Sequence, residues 1–181
     1  MNHADHVSLL HDGIPSGTDQ VWADLGSGSG AFTLALADLL GPTAQIYSVD
    51  KNASSLRKQE QAMRVRFPAA NVHYQVADFT QRLDLPPLYG VVMANSLHFI
   101  PDRQKEAVLK TVRSYLRPNG RLLLVEYNVD HGNPWVPHPL SYKTWEGLSQ
   151  RVGFTNTRLL ATRPSSFLRE IFSAVSLSTI G

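Results

Sequence analysis

Cysteine is absent from this sequence of 181 residues, which excludes disulfides, thiolate nucleophiles and metal centres held by cysteine. Long apolar runs are absent too, since no segment reaches the roughly 18 uninterrupted apolar residues of a membrane-spanning helix. The N-terminus shows no basic segment leading into an apolar one, as an export signal would. We therefore expect a cytoplasmic protein with no membrane contact.

A large surplus of either charge is also lacking. Lys and Arg total 17 against 15 Asp and Glu, a balance too even to predict nucleic-acid binding. The 7 histidines show no metal-ligand spacing, so no metal site is predicted. What remains is an ordinary globular composition with 43% hydrophobic residues. Its length is typical of a single domain, which we expect to span residues 1–181.

Short apolar runs alternate with longer amphipathic segments, which is the pattern of βα units around a parallel sheet. The predicted strands are 20–25, 46–49, 72–76, 90–94, 121–127, 155–161 and 166–175, and the predicted main helices are 32–40, 53–67, 103–116 and 141–152. The connection at 163–165 is too short for a crossover helix, so one of the last two strands should run antiparallel. The sequence predicts a three-layer α/β sandwich with a seven-stranded, mostly parallel sheet and one antiparallel strand near the C-terminus.

Two segments lie outside this alternation. The leading segment 1–18 is predicted to contain a short helix over 5–12, with Asp5 as its cap. The second segment, 129–142, is predicted to be a loop because three prolines and a glycine fall within 131–142, and we expect this Pro-rich loop to cover or contact something. Three aromatic side chains in or near it fit either a ligand pocket or ordinary helix packing: Trp135, Tyr142 and Trp145.

A glycine-rich turn follows the first predicted strand and opens a helix. It reads Asp24-Leu25-Gly26-Ser27-Gly28-Ser29-Gly30, and turns of this kind bind ligands through bare backbone. Gly26, Gly28 and Ala31 also satisfy the dinucleotide-binding fingerprint. The turn alone therefore does not identify its ligand, and a nicotinamide dinucleotide stays open.

Acidic residues follow the next two predicted strands. Asp50 ends the second strand, where its carboxylate can accept hydrogen bonds from both hydroxyls of a ribose. Asp78 follows the third strand within Ala77-Asp78-Phe79. The order of these features resembles the class I S-adenosylmethionine-dependent methyltransferases: Asp24-x-Gly26-x-Gly28-x-Gly30 resembles their motif I, 77–79 their adenine clamp, 90–99 their fourth-strand motif and 116–125 their Leu-x-Pro-Gly-Gly turn and fifth strand.

The resemblance implies a Rossmann-like fold that binds S-adenosylmethionine and releases S-adenosylhomocysteine. Carried over position by position, the predicted cofactor-binding residues are Asp24, Gly26, Ser27, Gly28, Gly30, Asp50, Lys51, Asp78, Phe79 and Asn95. Asn95 is expected to place its backbone near the methionine amino group. The sequence departs from the family at Gly90, where many members have an acidic residue, and at Asn119, which replaces the first glycine of the usual pair.

The implied reaction is transfer of a methyl group to a small-molecule acceptor by in-line displacement. Alignment of the two reactants supplies much of the acceleration. An oxygen or carbon acceptor also has to lose a proton, for which histidine suits neutral pH. His98 is the first candidate for this catalytic base, because it follows the fourth strand, and His138 on the Pro-rich loop is the second.

Two alternatives belong to other functional classes. An NAD(P)-dependent oxidoreductase or epimerase would use the same strand–turn–helix and would need a Tyr-x-x-x-Lys pair or another hydride-transfer group. A non-catalytic S-adenosylmethionine-binding module would keep Asp24, Asp50 and Asp78 without an acceptor pocket. The sequence specifies the donor far more closely than it specifies the acceptor.

Overall fold

The computed structural model describes residues 1–17 and 19–179; residues 18, 180 and 181 of the predicted domain lie outside this range. Within it, the strands are β1 Val21–Leu25, β2 Gln45–Asp50, β3 Asn71–Val76, β4 Leu88–Ala94, β5 Leu116–Tyr127, β6 Thr155–Ser165 and β7 Arg169–Ser178. The α-helices are α1 His3–Leu10, α2 Ala31–Leu40, α3 Ala53–Arg66, α4 Asp102–Ser114 and α5 Tyr142–Val152. None of the helices in the described part of the chain has the length and apolarity needed to cross a bilayer.

The seven strands form one sheet in the order β3-β2-β1-β4-β5-β7-β6. β1 to β5 pair in parallel, and β7 is antiparallel to both of its neighbours. The predicted seven-stranded, mostly parallel sheet with one antiparallel strand is confirmed. The sheet reverses direction of winding between β1 and β4, and a crevice at this point is the usual ligand site of such folds.

Helices cover both faces of the sheet. α4 and α5 contribute Leu109 and Trp145 to one buried cluster with the sheet. α1 and α2 contribute Leu10 and Leu36 to a second cluster on the opposite face. Two covered faces explain why the central strands are apolar on both sides rather than alternating.

Gly90, the departure from the family pattern, has a packing explanation. The indole ring of Trp22 on the neighbouring strand lies directly against the backbone of Gly90, so a Cβ atom there would overlap the ring. Trp22 is fully buried, and its Nε1 donates to Gln20 Oε1 at 2.9 Å. The Trp22 ring on β1 thus leaves no room for any side chain at position 90.

The structure corrects two sequence predictions at the ends of the chain. The first helix begins at His3, and Asn2 is its cap: the Asn2 side chain accepts from the Asp5 backbone, while the Asp5 carboxylate accepts from the Asn2 backbone. Asp5 is therefore the third helical residue of a capping box rather than the cap.

The last hairpin is longer than predicted, and its turn lies at 166–168, not at 163–165. The pattern of Phe167, Arg169, Ile171, Ser173 and Val175 predicts a half-exposed final strand, yet six consecutive residues, 171–176, are buried. This prediction was wrong because β7 is an inner strand, covered on both faces and paired on both edges.

Candidate active site

A cavity of about 390 Å³ opens at the carboxyl ends of β1 to β4. Parallel strands place the residues that follow them at one edge of the sheet, so segments distant in sequence meet there. The cavity is lined by Gly26, Asp50, Lys51, Ala77, Asp78, Phe79, Thr80, Asn95, Ser96, Phe99, Ile100, Pro101 and Gln104. Six of the ten predicted cofactor-binding residues are among them, whereas Asp24, Ser27, Gly28 and Gly30 are not.

Asp50 at the end of β2 joins the glycine turn to the start of α3. Its Oδ2 accepts from the backbone N–H of Gly28 at 2.8 Å, and its Oδ1 accepts from that of Asn52 at 2.7 Å. A carboxylate oxygen has two lone pairs, so each oxygen keeps capacity for a further donor. Asp50 can therefore accept both hydroxyls of a ribose diol while its orientation stays fixed.

Asp78 after β3 uses one carboxylate oxygen for its own turn. Oδ1 accepts from the backbone and the hydroxyl of Thr80 at 2.9 and 2.7 Å. The Thr80 backbone and side-chain hydrogen bonds, with a smaller contribution from nearby Lys51, lower the pKa of Asp78. The carboxylate is thus charged at neutral pH, and Oδ2 is available to an amino group, with the half-buried Phe79 ring beside it.

Asn95 after β4 has a backbone conformation that is uncommon outside glycine, with φ of 51°. Its backbone N–H is bound to the Val125 carbonyl at 2.8 Å. Its side-chain Oδ1 is buried without a hydrogen-bond partner, and burial of such an atom is costly unless a partner is supplied. An unsatisfied acceptor on the cavity wall is suited to a donor group such as an amine.

The three glycines of the turn are required for different reasons. A Cβ at Gly26 would overlap Ser96, and one at Gly30 would overlap Gln59, so both glycines permit close packing within the protein. A Cβ at Gly28 would meet nothing within 4 Å. Gly28 therefore leaves open space beside bare backbone, which is the property that a ligand-binding turn needs.

Asp24 is buried beneath the turn, with 1% of its surface exposed. The Thr33 hydroxyl donates to its Oδ2 at 2.6 Å. Burial raises the pKa of Asp24 to about 7, a rise that the Thr33 hydrogen bond only partly opposes and nearby Asp50 reinforces. Asp24 thus lacks a cationic partner in the described structure, and a positively charged ligand group above the turn would favour its ionised form.

His98, the first candidate base, lies in a short turn after β4 and is 3% exposed. Its Nδ1 is 2.8 Å from Glu126 Oε2, and its backbone N–H donates to Oε1 of the same carboxylate at 3.1 Å. A carboxylate only accepts, so this contact places a proton on Nδ1, and in a neutral ring Nε2 would be left as an acceptor. The His98 ring does not line the cavity itself but contacts the ring of Phe99, which does, at a centroid distance of 4.3 Å.

His138, the second candidate, is held beside His98 by backbone contacts. Its N–H donates to the His98 carbonyl at 3.0 Å, and its own carbonyl accepts from the buried ammonium of Lys105. The Lys105 Nζ also binds Asp102 at 2.7 Å. The Pro-rich loop is thereby fastened to the segment after β4, and the two histidines are brought together although 40 positions separate them in the sequence.

Several residues at the site were not predicted from the sequence. Ser96, Phe99 and Gln104 line the cavity, and Glu126 orients His98. Glu126 carries a recognisable signal, because an acidic residue inside the apolar run 122–127 requires a buried partner. Two aromatic residues near the loop differ in burial: Trp145 is fully buried in the core, whereas Trp135 is 74% exposed.

The Tyr-x-x-x-Lys spacing of many oxidoreductases occurs at Tyr47 and Lys51. These residues lie on and just after β2, where four positions span about 13 Å instead of one helical turn. The Tyr47 ring stacks on His73 at 4.6 Å between centroids. The spacing therefore does not produce a hydride-transfer pair here.

The cavity residues suit S-adenosylmethionine in order along the sheet. Asp78 and Phe79 could offer an acceptor and an apolar ring to adenine, and Asp50 could offer two acceptors to the ribose. The open backbone at Gly28 and the unsatisfied Asn95 Oδ1 suit the amino-acid end. No cluster of metal-ligating side chains occurs among the residues that the structure describes.

A model of the methyltransferase domain family matches residues 18–172 of the chain. The chain belongs to this family, and the predicted class I resemblance is confirmed. The family assignment indicates S-adenosylmethionine as the cofactor and selects it over the dinucleotide alternative.

One curated relative is the ubiquinone/menaquinone biosynthesis C-methyltransferase UbiE of Ectopseudomonas mendocina, which is 30% identical over 147 residues, or 72% of this chain and 57% of the relative. The chain thus spans little more than half of that relative's length.

Two solved structures share the fold. The YcgJ protein of Bacillus subtilis aligns with a TM-score of 0.80 and 13% identity over 99% of this chain and 100% of its own. Phosphoethanolamine N-methyltransferase 2 of Haemonchus contortus, in complex with phosphomonomethylethanolamine and S-adenosylhomocysteine, aligns with a TM-score of 0.78 and 16% identity over 98% of this chain and 53% of its own. These similarities show that the Rossmann-like fold is shared.

Proposed function

We propose that this chain transfers the methyl group of S-adenosylmethionine to a small-molecule acceptor by in-line displacement. When bound, the cofactor supplies a methyl group already activated by its sulfonium. The protein has to hold the two reactants in line and exclude water. Asp78, Asp50 and Asn95 would hold the donor through its adenine, ribose and amino-acid groups respectively.

The observation that carries the acceptor side is the buried contact of 2.8 Å between His98 and Glu126. An acceptor with an O–H or C–H nucleophile loses a proton as it gains the methyl group, and Nε2 of His98 is the group that would take this proton. Glu126 would then act as a positioning residue, because it fixes the tautomer and stabilises the imidazolium that forms. The exposed ring of Phe99, which contacts the His98 ring and lines the cavity, is the surface along which an acceptor would approach.

The relative from Ectopseudomonas mendocina is named as a C-methyltransferase of quinone biosynthesis. A carbon nucleophile has to be converted to an enolate or phenolate before it attacks, whereas a neutral amine attacks directly. The buried His98–Glu126 pair therefore favours an acceptor with an acidic C–H or O–H group over an amine.

Turnover of simple acceptors tests this function. Phenols and 1,3-dicarbonyl compounds would be incubated with S-adenosylmethionine, and the methylated products and S-adenosylhomocysteine quantified by mass spectrometry. His98→Gln should lower kcat by roughly 10²–10⁴-fold, the usual contribution of a general base, and should leave S-adenosylhomocysteine affinity unchanged. His138→Gln is the matched control on the loop and should lose little activity.

Two outcomes would change the proposal. A large loss in His138→Gln with little loss in His98→Gln would transfer the role of base to His138. Tight binding of S-adenosylhomocysteine without methylation of any acceptor would instead support the non-catalytic binding module.

A further inference from the structure

A closed ring of three hydrogen bonds lies beneath the glycine turn. Gln59 of α3 donates from Nε2 to Ser48 Oγ at 2.9 Å, Ser48 donates to Ser27 Oγ at 2.8 Å, and Ser27 donates to Gln59 Oε1 at 3.3 Å. Ser48 Oγ also lies 3.1 Å from Gln59 Oε1. When the single Ser48 proton is donated to Ser27, each hydroxyl of this polar ring donates once and accepts once. Ser27 belongs to the turn, Ser48 to β2, and neither Ser48 nor Gln59 is exposed.

The glycine turn rests directly on the Gln59 side chain. A Cβ at Gly30 would overlap the aliphatic part of Gln59, so the turn approaches α3 as closely as bare backbone allows. On the strand side, the backbone N–H groups of Gly26 and Ser27 both donate to the Val49 carbonyl, at 2.8 and 3.0 Å. The turn is thus bound to β2 through its backbone and to α3 through the polar ring.

Burying the Gln59 amide in this space carries a desolvation cost. An apolar side chain of similar length would avoid the cost of desolvating a primary amide, which is recovered only when its hydrogen bonds are made. The hydrogen bonds are directional, however, and they are satisfied in one position of the turn. The polar ring therefore favours a single turn geometry more strongly than apolar packing would.

We infer that Gln59 is a positioning residue that fixes the glycine turn for the amino-acid end of the donor. The inference rests on the donor orientation proposed above. In the strand order β3-β2-β1-β4, Asp78 and Asp50 follow the first two strands, and the turn follows the third, next to Asn95 on the fourth. Displacement of the turn should consequently affect the amino-acid end and spare the adenosyl half.

Calorimetric titration with two ligands tests the role of Gln59. S-adenosylhomocysteine carries the amino-acid end, and 5′-methylthioadenosine lacks it. Gln59→Met keeps the side-chain length and removes every hydrogen bond of the amide. We expect S-adenosylhomocysteine to bind about tenfold more weakly, as expected for one lost set of buried hydrogen bonds, and 5′-methylthioadenosine affinity to change by less than about twofold.

Gln61→Met is the matched control, because Gln61 is exposed on the same helix, and it should leave both affinities unchanged. Thermal unfolding checks that each variant is folded; if Gln59→Met is not, Ser48→Ala makes the same test with a smaller change. Equal weakening of both ligands in a folded variant, or no weakening of either, would overturn the positioning role. Failure of the wild-type protein to bind S-adenosylhomocysteine would overturn the donor assignment and this inference with it.

Discussion

The proposed donor site and the proposed acceptor site are built from different kinds of sequence information. On the donor side, each contributing segment is a short contiguous motif at the end of a strand, such as the turn 24–30 or residues 77–79. On the acceptor side, the elements that meet are distant in the chain: His98 contacts Glu126 across 28 positions, and the Pro-rich loop docks on the His98 segment through the backbone of His138. The residues of the donor side can therefore be predicted from the sequence, whereas those of the acceptor side are brought together only by folding.

Two buried acids show the same contrast. Asp24 accepts a hydrogen bond from the Thr33 hydroxyl, nine positions away, and burial raises the pKa of Asp24 to about 7. The Glu126 carboxylate is hydrogen-bonded to the imidazole and the backbone N–H of His98. Among the described residues Asp24 has no cationic partner, so a ligand could supply one, whereas Glu126 already has its partner within the protein.

The largest expected effect concerns Asp24. Its folded-state pKa of about 7 lies above the ordinary value of 3.8, so between these values the native state holds a proton that the unfolded state releases. The free energy of unfolding should therefore fall as pH rises through this window, by up to about 4 kcal/mol at 1.36 kcal/mol per pKa unit. Asp24→Asn keeps an acceptor for Thr33 and removes the charge, and it should remove this decline.

Denaturant unfolding of both proteins at several pH values between 4 and 8 measures the effect. We expect the stability of Asp24→Asn relative to wild type to increase with pH and to level off above the folded-state pKa. Parallel pH profiles would show that Asp24 is not protonated in the native state and would weaken the contrast between the two acids.

A smaller effect separates the glycines of the turn. Gly30→Ala combines a left-handed backbone, φ of 91°, with overlap against Gln59, so we expect a loss of about 3 kcal/mol in unfolding free energy. Gly28→Ala has open space and should cost only about 1 kcal/mol for its positive φ, while it weakens S-adenosylhomocysteine binding. Equal destabilisation of the two variants would contradict this division between packing and ligand access.

Much of the fold could be predicted from the sequence, because its determinants are local. Alternating apolar runs with glycine and proline stops located the strands and most helices within a few residues. The short final connection correctly required one antiparallel strand. The predicted half-exposure of β7 was wrong because burial of a strand depends on which strands pair with it, and no local pattern encodes that arrangement.

In the candidate site too, features set by local sequence could be predicted and features set by packing could not. Asp50, Asp78 and Phe79 could be singled out because strand ends in a parallel sheet converge. Gln59 could not, since its partners Ser27 and Ser48 lie on two other elements and only the packed structure brings all three together. Glu126 lies between these cases: its presence in an apolar strand indicates a buried partner, but the sequence does not show that the partner is His98.

The central claim is that the edge formed by β1 to β4 binds S-adenosylmethionine, and calorimetric titration of S-adenosylhomocysteine and NAD⁺ tests it most directly. We predict that the wild-type protein binds S-adenosylhomocysteine and not NAD⁺. Asp50→Ala should weaken that binding by about tenfold or more through loss of charged hydrogen bonds. Asp84→Ala should not, because Asp84 is an exposed acid in the loop that precedes β4. Binding of NAD⁺ without S-adenosylhomocysteine, or unchanged affinity in folded Asp50→Ala, would contradict the account.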